Sequence, residues 1–414
     1  MLGTHAGFHT STFGVTPGED LNHVPGPRAR SPETAAIVRL SNELTTALRA
    51  IIDSSPLAGL GPIEVARILG VDKTLTSRLM AALRATDPLA ALNLLPGVVP
   101  LRQFVAAARR HGAGVRSVQA AERKLRAFDD ELQGTFGTRT RLDAVIADAL
   151  PEARRRHDDV ARQAVYRGMA LIKGVSIDLE SFTWIVHPSR RNPRRVDILF
   201  LAAIIGIHRL RPTARFRVGG SYSRTRPETQ PKLLRNFCRP AGLSIAASSE
   251  KDFTFYEVST GSVRRDAAAD VCLTQFIGDA TARTNSAREM WSVGDILTYP
   301  IKRLELTLLV HENVWPGCEF SLRAYDTAMR GVVHLPDSER EFDRLPVDAA
   351  VVRTPASAEA LRASPVPSYP EMVRHLTAPL GWELEGKSGR PAFRRISCEV
   401  AYPVYGSQVM LVRE

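Results

Sequence analysis

The chain has 414 residues, 44% of them hydrophobic and 24% charged, with a formal net charge of +11. That length accommodates two or three domains with cores of their own, and the composition excludes a disordered or fibrous chain. The longest apolar run, Ile198 to Ile207, falls well short of the ~18 residues that a membrane span needs, so no membrane partner is expected. Residues 1–30 lack a basic start leading into an apolar stretch, which argues against a secretory signal. Rich in Gly, Thr, His and Pro, they read as a disordered leader. The four cysteines, Cys238, Cys272, Cys318 and Cys398, include no Cys-x-x-Cys pair. Neither a zinc ribbon nor a disulfide framework is expected, and reduced thiols in a cytoplasmic protein are the simplest account.

Ser31-Pro32-Glu33 has the chemistry of a helix start: a hydroxyl cap, a proline in the first turn and an acid beside it. Ile37, Leu40, Leu44, Leu48 and Ile51 then recur on one helical face, and Ser54-Ser55-Pro56 ends the run. Helical periodicity continues through Leu101–His111, Val118–Leu132, Leu142–Leu150 and Pro151–Leu171. The seam Val118, Ala121, Leu125, Phe128 and Leu132 suits packing inside its own domain; a short coiled coil with a second chain is the alternative. Near Lys173 the period changes. Val175, Ile177 and Leu179 alternate with Ser176, Asp178 and Glu180, as in a half-buried strand. Further strands are expected at Phe182–Val186, Val196–Ile207, Phe253–Val258, Ile301–Val310, Phe320–Tyr325 and Ile396–Val412, with helices at Lys232–Phe237 and Tyr369–Leu380. The fold class is therefore α+β: an all-α N-terminal half, then a mixed C-terminal domain. The expected division is a leader (1–30), a three-helix domain (31–98), a helical connector or dimerisation region (99–172) and an α+β domain (173–414).

Within the three-helix domain, Pro62 to Leu83 has the pattern of two helices joined by a tight turn. Ala66 is small where the helices cross, Gly70 permits the positive φ of the turn, and Val65, Leu69, Val71, Leu79 and Leu83 supply a shared core. Asp72 can cap the following helix, leaving Lys73, Thr74, Ser77 and Arg78 on its exposed first turns and Arg84 near its end. The run from Glu64 to Leu79 resembles the helix-turn-helix transcriptional regulators of the IclR and MarR kind, over little more than twenty residues with its flanks. The resemblance implies a bacterial DNA-binding regulator whose second helix, through Lys73, Thr74, Ser77, Arg78 and Arg84, meets base edges and phosphates of double-stranded DNA. The two half-sites such readers use imply a homodimer. Two features differ from those families. Thr76 stands where an aliphatic residue is usual, and Asp87-Pro88-Leu89 opens another helix where a basic β-wing would follow. A wingless three-helix variant is expected.

Charge is distributed unevenly. Residues 32–87 carry six basic and six acidic side chains, whereas 187–235 carry twelve basic against two acidic, a net of +10. Arg190, Arg191, Arg194 and Arg195 flank an Asn-Pro loop, and Arg215 and Arg217 bracket Phe216 with strand alternation. This segment is open to three readings: a second surface for the DNA backbone, a pocket for an anionic small-molecule effector, or a solvated basic face. No dinucleotide, P-loop, nucleophile-elbow or zinc-protease motif occurs, so neither catalytic residues nor a cofactor or metal is expected. His311-Glu312-Asn313 reads as a turn cap. The functional expectation is a DNA-binding regulator whose C-terminal domain senses an effector or dimerises. The alternative is a ligand-binding or scaffold protein in which the helix-turn-helix only packs.

Overall fold

The computed structural model describes residues 32–219, 231–240, 244–250, 253–259, 268–283, 291–331, 338–386 and 389–414. The chain forms two compact units that meet in sequence between Val160 and Ala161. The expected leader, Ser31, Arg224 and Arg226 lie outside the described residues.

The first unit is helical: α1 (Pro32–Asp53), α2 (Pro62–Leu69), α3 (Lys73–Arg84), α4 (Pro88–Leu94), α5 (Val98–Arg110), α6 (Val115–Glu131), a π-helical turn (Leu132–Phe136) and α7 (Arg139–Ala149). The next helix, α8 (Pro151–Lys173), runs through the boundary between the units. Along α1, Ile37, Ser41, Leu44, Leu48 and Ile51 are fully buried, a single stripe at helical spacing. The seam of α6 is also buried and packs against α1 and α5, so it is consumed within its own unit and the coiled-coil alternative is set aside. One apolar core extends from Ile37 to Ala153. This corrects the expected boundary at 98/99: α5 and α6 place Leu101, Phe104, Leu125 and Phe128 in the same core as α1, so the connector belongs to the first unit as far as Val160 and its last residues, 161–172, to the second. Directly after α3 comes α4, with Asp87 accepting hydrogen bonds from the Leu89 and Ala90 amides (3.2 and 3.3 Å).

The second unit is built on a seven-stranded sheet in the order β12-β13-β9-β1-β2-β7-β4. Its strands are β1 (Val175–Pro188), β2 (Arg195–Arg209), β4 (Lys232–Leu233), β7 (Ala269–Ala282), β9 (Ile301–His311), β12 (Val352–Pro355) and β13 (Phe393–Ala401). Only β1 and β9 pair in parallel; the other neighbours are antiparallel. A four-stranded sheet, β11-β10-β14-β8, comprises β8 (Ser292–Ile296), β10 (Phe320–Asp326), β11 (Arg344–Leu345) and β14 (Ser407–Arg413). A three-stranded sheet holds β3 (Phe216–Val218), β5 (Ser244–Glu250) and β6 (Phe253–Ser259).

Both faces of the large sheet are covered. On one, Trp184, Phe200 and Leu306 join Phe216, Val293, Phe320 and Leu411 from the smaller sheets. On the other, Ile185, Leu199 and Leu309 meet Tyr369, Met372 and Trp382 from the segment holding α9 (Ala358–Arg362) and α10 (Tyr369–Thr377). Two-sided burial accounts for the unbroken apolar run of β2, because a strand with no solvent face has no reason to alternate. It also places both parities of β1 inside, including the side that carries Glu180.

Three element expectations are corrected. Lys232–Phe237 is not a helix: Lys232 and Leu233 pair with β7, and a 3-10 turn (Arg235–Phe237) follows. Ile396–Val412 is two strands, interrupted where Tyr402 and Gly406 take positive φ (46° and 80°) around Pro403. The two short strands expected at 175–179 and 182–186 are one, β1. Among the described residues no single helix is long and apolar enough to cross a membrane.

Candidate functional site

The exposed face of α3 is set by the turn before it. Gly70 ends α2 in the left-handed region (φ 63°), and the Val71 amide donates to the Ala66 carbonyl at 3.1 Å. Two residues later Asp72 accepts from the Thr74 and Leu75 amides (2.7 and 3.3 Å). Hydrogen bonds from the Thr74 side chain and amide hold the Asp72 carboxyl below its ordinary range. Thr76 is fully buried, and its hydroxyl donates to the Pro62 carbonyl (2.9 Å), pinning the start of α2 to α3. At the far end, the Arg49 guanidinium of α1 donates to the Leu83 carbonyl in the last turn of α3.

With Leu75, Thr76, Leu79, Ala82 and Leu83 buried, the expected DNA-facing residues Lys73, Thr74, Ser77, Arg78 and Arg84 are all exposed. The first four occupy the opening two turns; Arg84 lies six residues further on, about 9 Å along the axis. No acidic side chain occurs on α3. This face carries three fixed positive charges and two hydroxyls.

The arginine segment is not gathered into one patch. β1 and β2 pair from Pro188↔Val196 at one end to Val175↔Arg209 at the other, a separation of about 40 Å at the rise of an extended strand. Arg190, Arg191, Arg194 and Arg195 sit at the first end, while Arg209 sits at the second and Arg211 just beyond it. Arg191 and Arg194 are exposed; Arg190 reaches the Gly381 carbonyl (3.4 Å). Arg195 is half-buried and donates to the Asp279 and Ala280 carbonyls (2.7 and 3.1 Å), so its role is to hold the turn. Arg283, which the sequence did not single out, joins this end by donating to the Asn313 and Pro193 carbonyls (3.0 and 3.4 Å). Arg215 and Arg217 lie elsewhere, on and beside β3, in long ion pairs with Glu257 of β6 (3.8 and 3.6 Å). Partly solvated pairs of that length contribute little. His311 caps its turn by accepting from the Asn313 amide at 3.2 Å.

A second site has no counterpart among the sequence expectations. Between the large sheet and the strands β3 and β8 lies a cavity of about 50 Å³. Its walls include Phe182, Phe200 and Leu273, yet two carboxylates enter it, Glu180 from β1 and Asp295 from β8. Asp295 is 6% exposed, and its Oδ1 accepts from the neighbouring Ile296 amide (2.7 Å). Glu180 retains partial exposure, the expected result for a side chain facing a cavity. Burial pushes the Glu180 carboxyl up to about 8, and the Asp295 charge adds to the effect; burial pushes Asp295 up to about 7. The phenol of Tyr299, on the same wall, accepts from the Arg217 amide (3.0 Å). More than a hundred residues separate Glu180 from Asp295, and each stands alone among ordinary strand residues, so no local motif announces the pair.

No family model and no curated protein matches the chain. Among solved structures, one described as a putative protease from Parabacteroides distasonis is similar at 9% identity and a TM-score of 0.29, over 58% of this chain and 40% of that one. An M1 zinc metallopeptidase from Deinococcus radiodurans is similar at 9% identity and a TM-score of 0.26, over 57% and 42%. The chain thus spans about two fifths of the length of these proteins, and likeness at this level carries no functional argument.

Proposed function

We propose that the protein is a DNA-binding transcriptional regulator that reads duplex DNA with the helix-turn-helix formed by α2 and α3, as a homodimer. The observation that carries the reading is the face of α3. Lys73, Thr74, Ser77, Arg78 and Arg84 share one exposed, acid-free surface, while every other long side chain of that helix except Met80 is buried. Such a helix can lie in the major groove with its first turns at the base edges. Phosphate neutralisation dominates affinity for DNA, and the first unit has little charge to spare, so Arg190, Arg191 and Arg194 are proposed as additional anchors on the DNA backbone. The second unit serves as the sensing or dimerising part.

A second reading, a ligand-binding or scaffold protein in which α2 and α3 only pack, is favoured by the balanced charge of residues 32–87. Binding of the full chain to random duplex DNA across a salt series separates the two. The regulator reading expects a linear loss of log affinity with log salt concentration, starting from low-salt affinity well above that of an equally basic control protein. Affinity no better than the control removes it.

A further inference from the structure

We infer that the cavity between the large sheet and strands β3 and β8 is a binding site for a small organic cation, a primary alkylammonium whose charged head is received by Glu180 and Asp295. Three independent observations converge on it. The first is the cavity itself, enclosed by apolar walls and open at one side. The second is Asp295: nine-tenths buried, it spends one carboxylate oxygen on the Ile296 amide and turns a group with further acceptor capacity towards the cavity. The third is that a second carboxylate, Glu180, enters the same space from a different sheet. Two carboxylates drawn into one largely apolar cavity are costly to charge even with the Arg217 guanidinium on the same wall, and burial favours their protonated forms. An ammonium group removes that cost directly.

The lining discriminates between cations. Ca²⁺ requires six or more oxygen ligands, and Mg²⁺ several waters with room to hold them. Phe182, Phe200, Ile204 and Leu273 supply none and suit a hydrocarbon stem instead. Size sets the stem. The cavity's 50 Å³ is a third of the ~150 Å³ that takes up a benzene ring, so it suits a short stem of a few carbons. Arg217 and Tyr299 are polar groups on the same wall, and Lys173 approaches the outer side of Tyr299, its Nζ 6.0 Å from the ring centroid.

Charge is balanced by proton release. The ligand enters as an ammonium ion, and a proton held by the carboxyls leaves to solvent. Affinity consequently rises from pH 6 to pH 8.5, as Glu180 and Asp295 ionise without that proton having to be displaced.

The site is independent of DNA binding, and its test is made on the full chain without DNA. Titration calorimetry and thermal unfolding are run with n-butylammonium, n-butanol, butyrate, Mg²⁺ and Ca²⁺. Butylammonium alone is expected to bind, raising Tm by about 3 °C at ten times its Kd. Binding at pH 7 should release a fraction of a proton, read as a dependence of the observed heat on buffer ionisation enthalpy. Glu180→Gln and Asp295→Asn, which keep shape and remove charge, are each expected to weaken binding at least tenfold while unfolding at or above the wild-type Tm at pH 8. Any of three results overturns the inference: equal stabilisation by butanol, stabilisation by divalent ions without the amine, or amine binding unchanged in both variants.

Discussion

At the residue scale, Thr76 and Gly70 determine how α3 is presented. Thr76 is fully buried, and its hydroxyl anchors the start of α2 by donating to the Pro62 carbonyl. Thr76→Val keeps the shape and removes the donor, with an expected loss of about 1 kcal/mol in urea unfolding. Gly70→Ala should cost a similar amount, roughly 1 kcal/mol, through backbone strain alone, since a Cβ there would meet nothing within 4 Å. The carboxyl pair in the second unit sets a pH dependence. Glu180 and Asp295 keep their protons to about 8 and about 7 in the folded chain. The unfolded values lie near 4, so the folded state binds more protons between these limits. The pair's contribution to stability is therefore most favourable below about pH 4 and is lost as pH rises towards 8. Glu180→Gln with Asp295→Asn should flatten that slope and stabilise the protein at pH 8, by on the order of 3 kcal/mol. Thermal unfolding at pH 5.5 and pH 8 reads both effects.

At the element scale, α6 shows how a dimerisation motif and a core stripe can share one pattern. Its seam is buried against α1 and α5, so Leu125→Ala should destabilise the first unit by about 3 kcal/mol and leave the association state in sedimentation unchanged. Helices of this kind were legible because Ile37 to Ile51 and Val118 to Leu132 repeat at 3.6 residues over several turns. β2 was legible for a different reason, a long run of Ile, Leu and Ala with no polar interruption. β7 was not, because Gln275, Gly278 and Asp279 break its alternation; pairing with β2 overrides the local pattern. Lys232–Phe237 misled in the opposite direction, with two residues captured by the edge of the large sheet. The α3 face could be read residue by residue, since capping and helical spacing are local properties. The cavity could not. It depends on a sheet covered on both sides, which turns the apparently solvent-facing Glu180 inwards, and on a partner supplied by β8.

At the scale of the whole molecule, charge and shape are divided between the two units. The first presents the proposed reading helix with little net charge, and the second carries most of the excess arginines, dispersed over opposite ends of the long β1–β2 pair. The two contributions should therefore separate in mutants. Arg190→Ala with Arg191→Ala and Arg194→Ala should weaken binding to all duplexes alike and make the salt slope shallower by roughly one unit for each phosphate no longer neutralised. Lys73→Ala with Arg78→Ala should instead abolish discrimination between sequences. Selection from a pool of randomised duplex DNA tests the central proposal most directly. The wild-type chain should enrich one sequence with two related half-sites, the triple arginine variant should enrich the same sequence more weakly, and the Lys73/Arg78 variant should enrich none. If the wild type enriches no sequence, or the Lys73/Arg78 variant enriches the same one, α3 is not a reading helix.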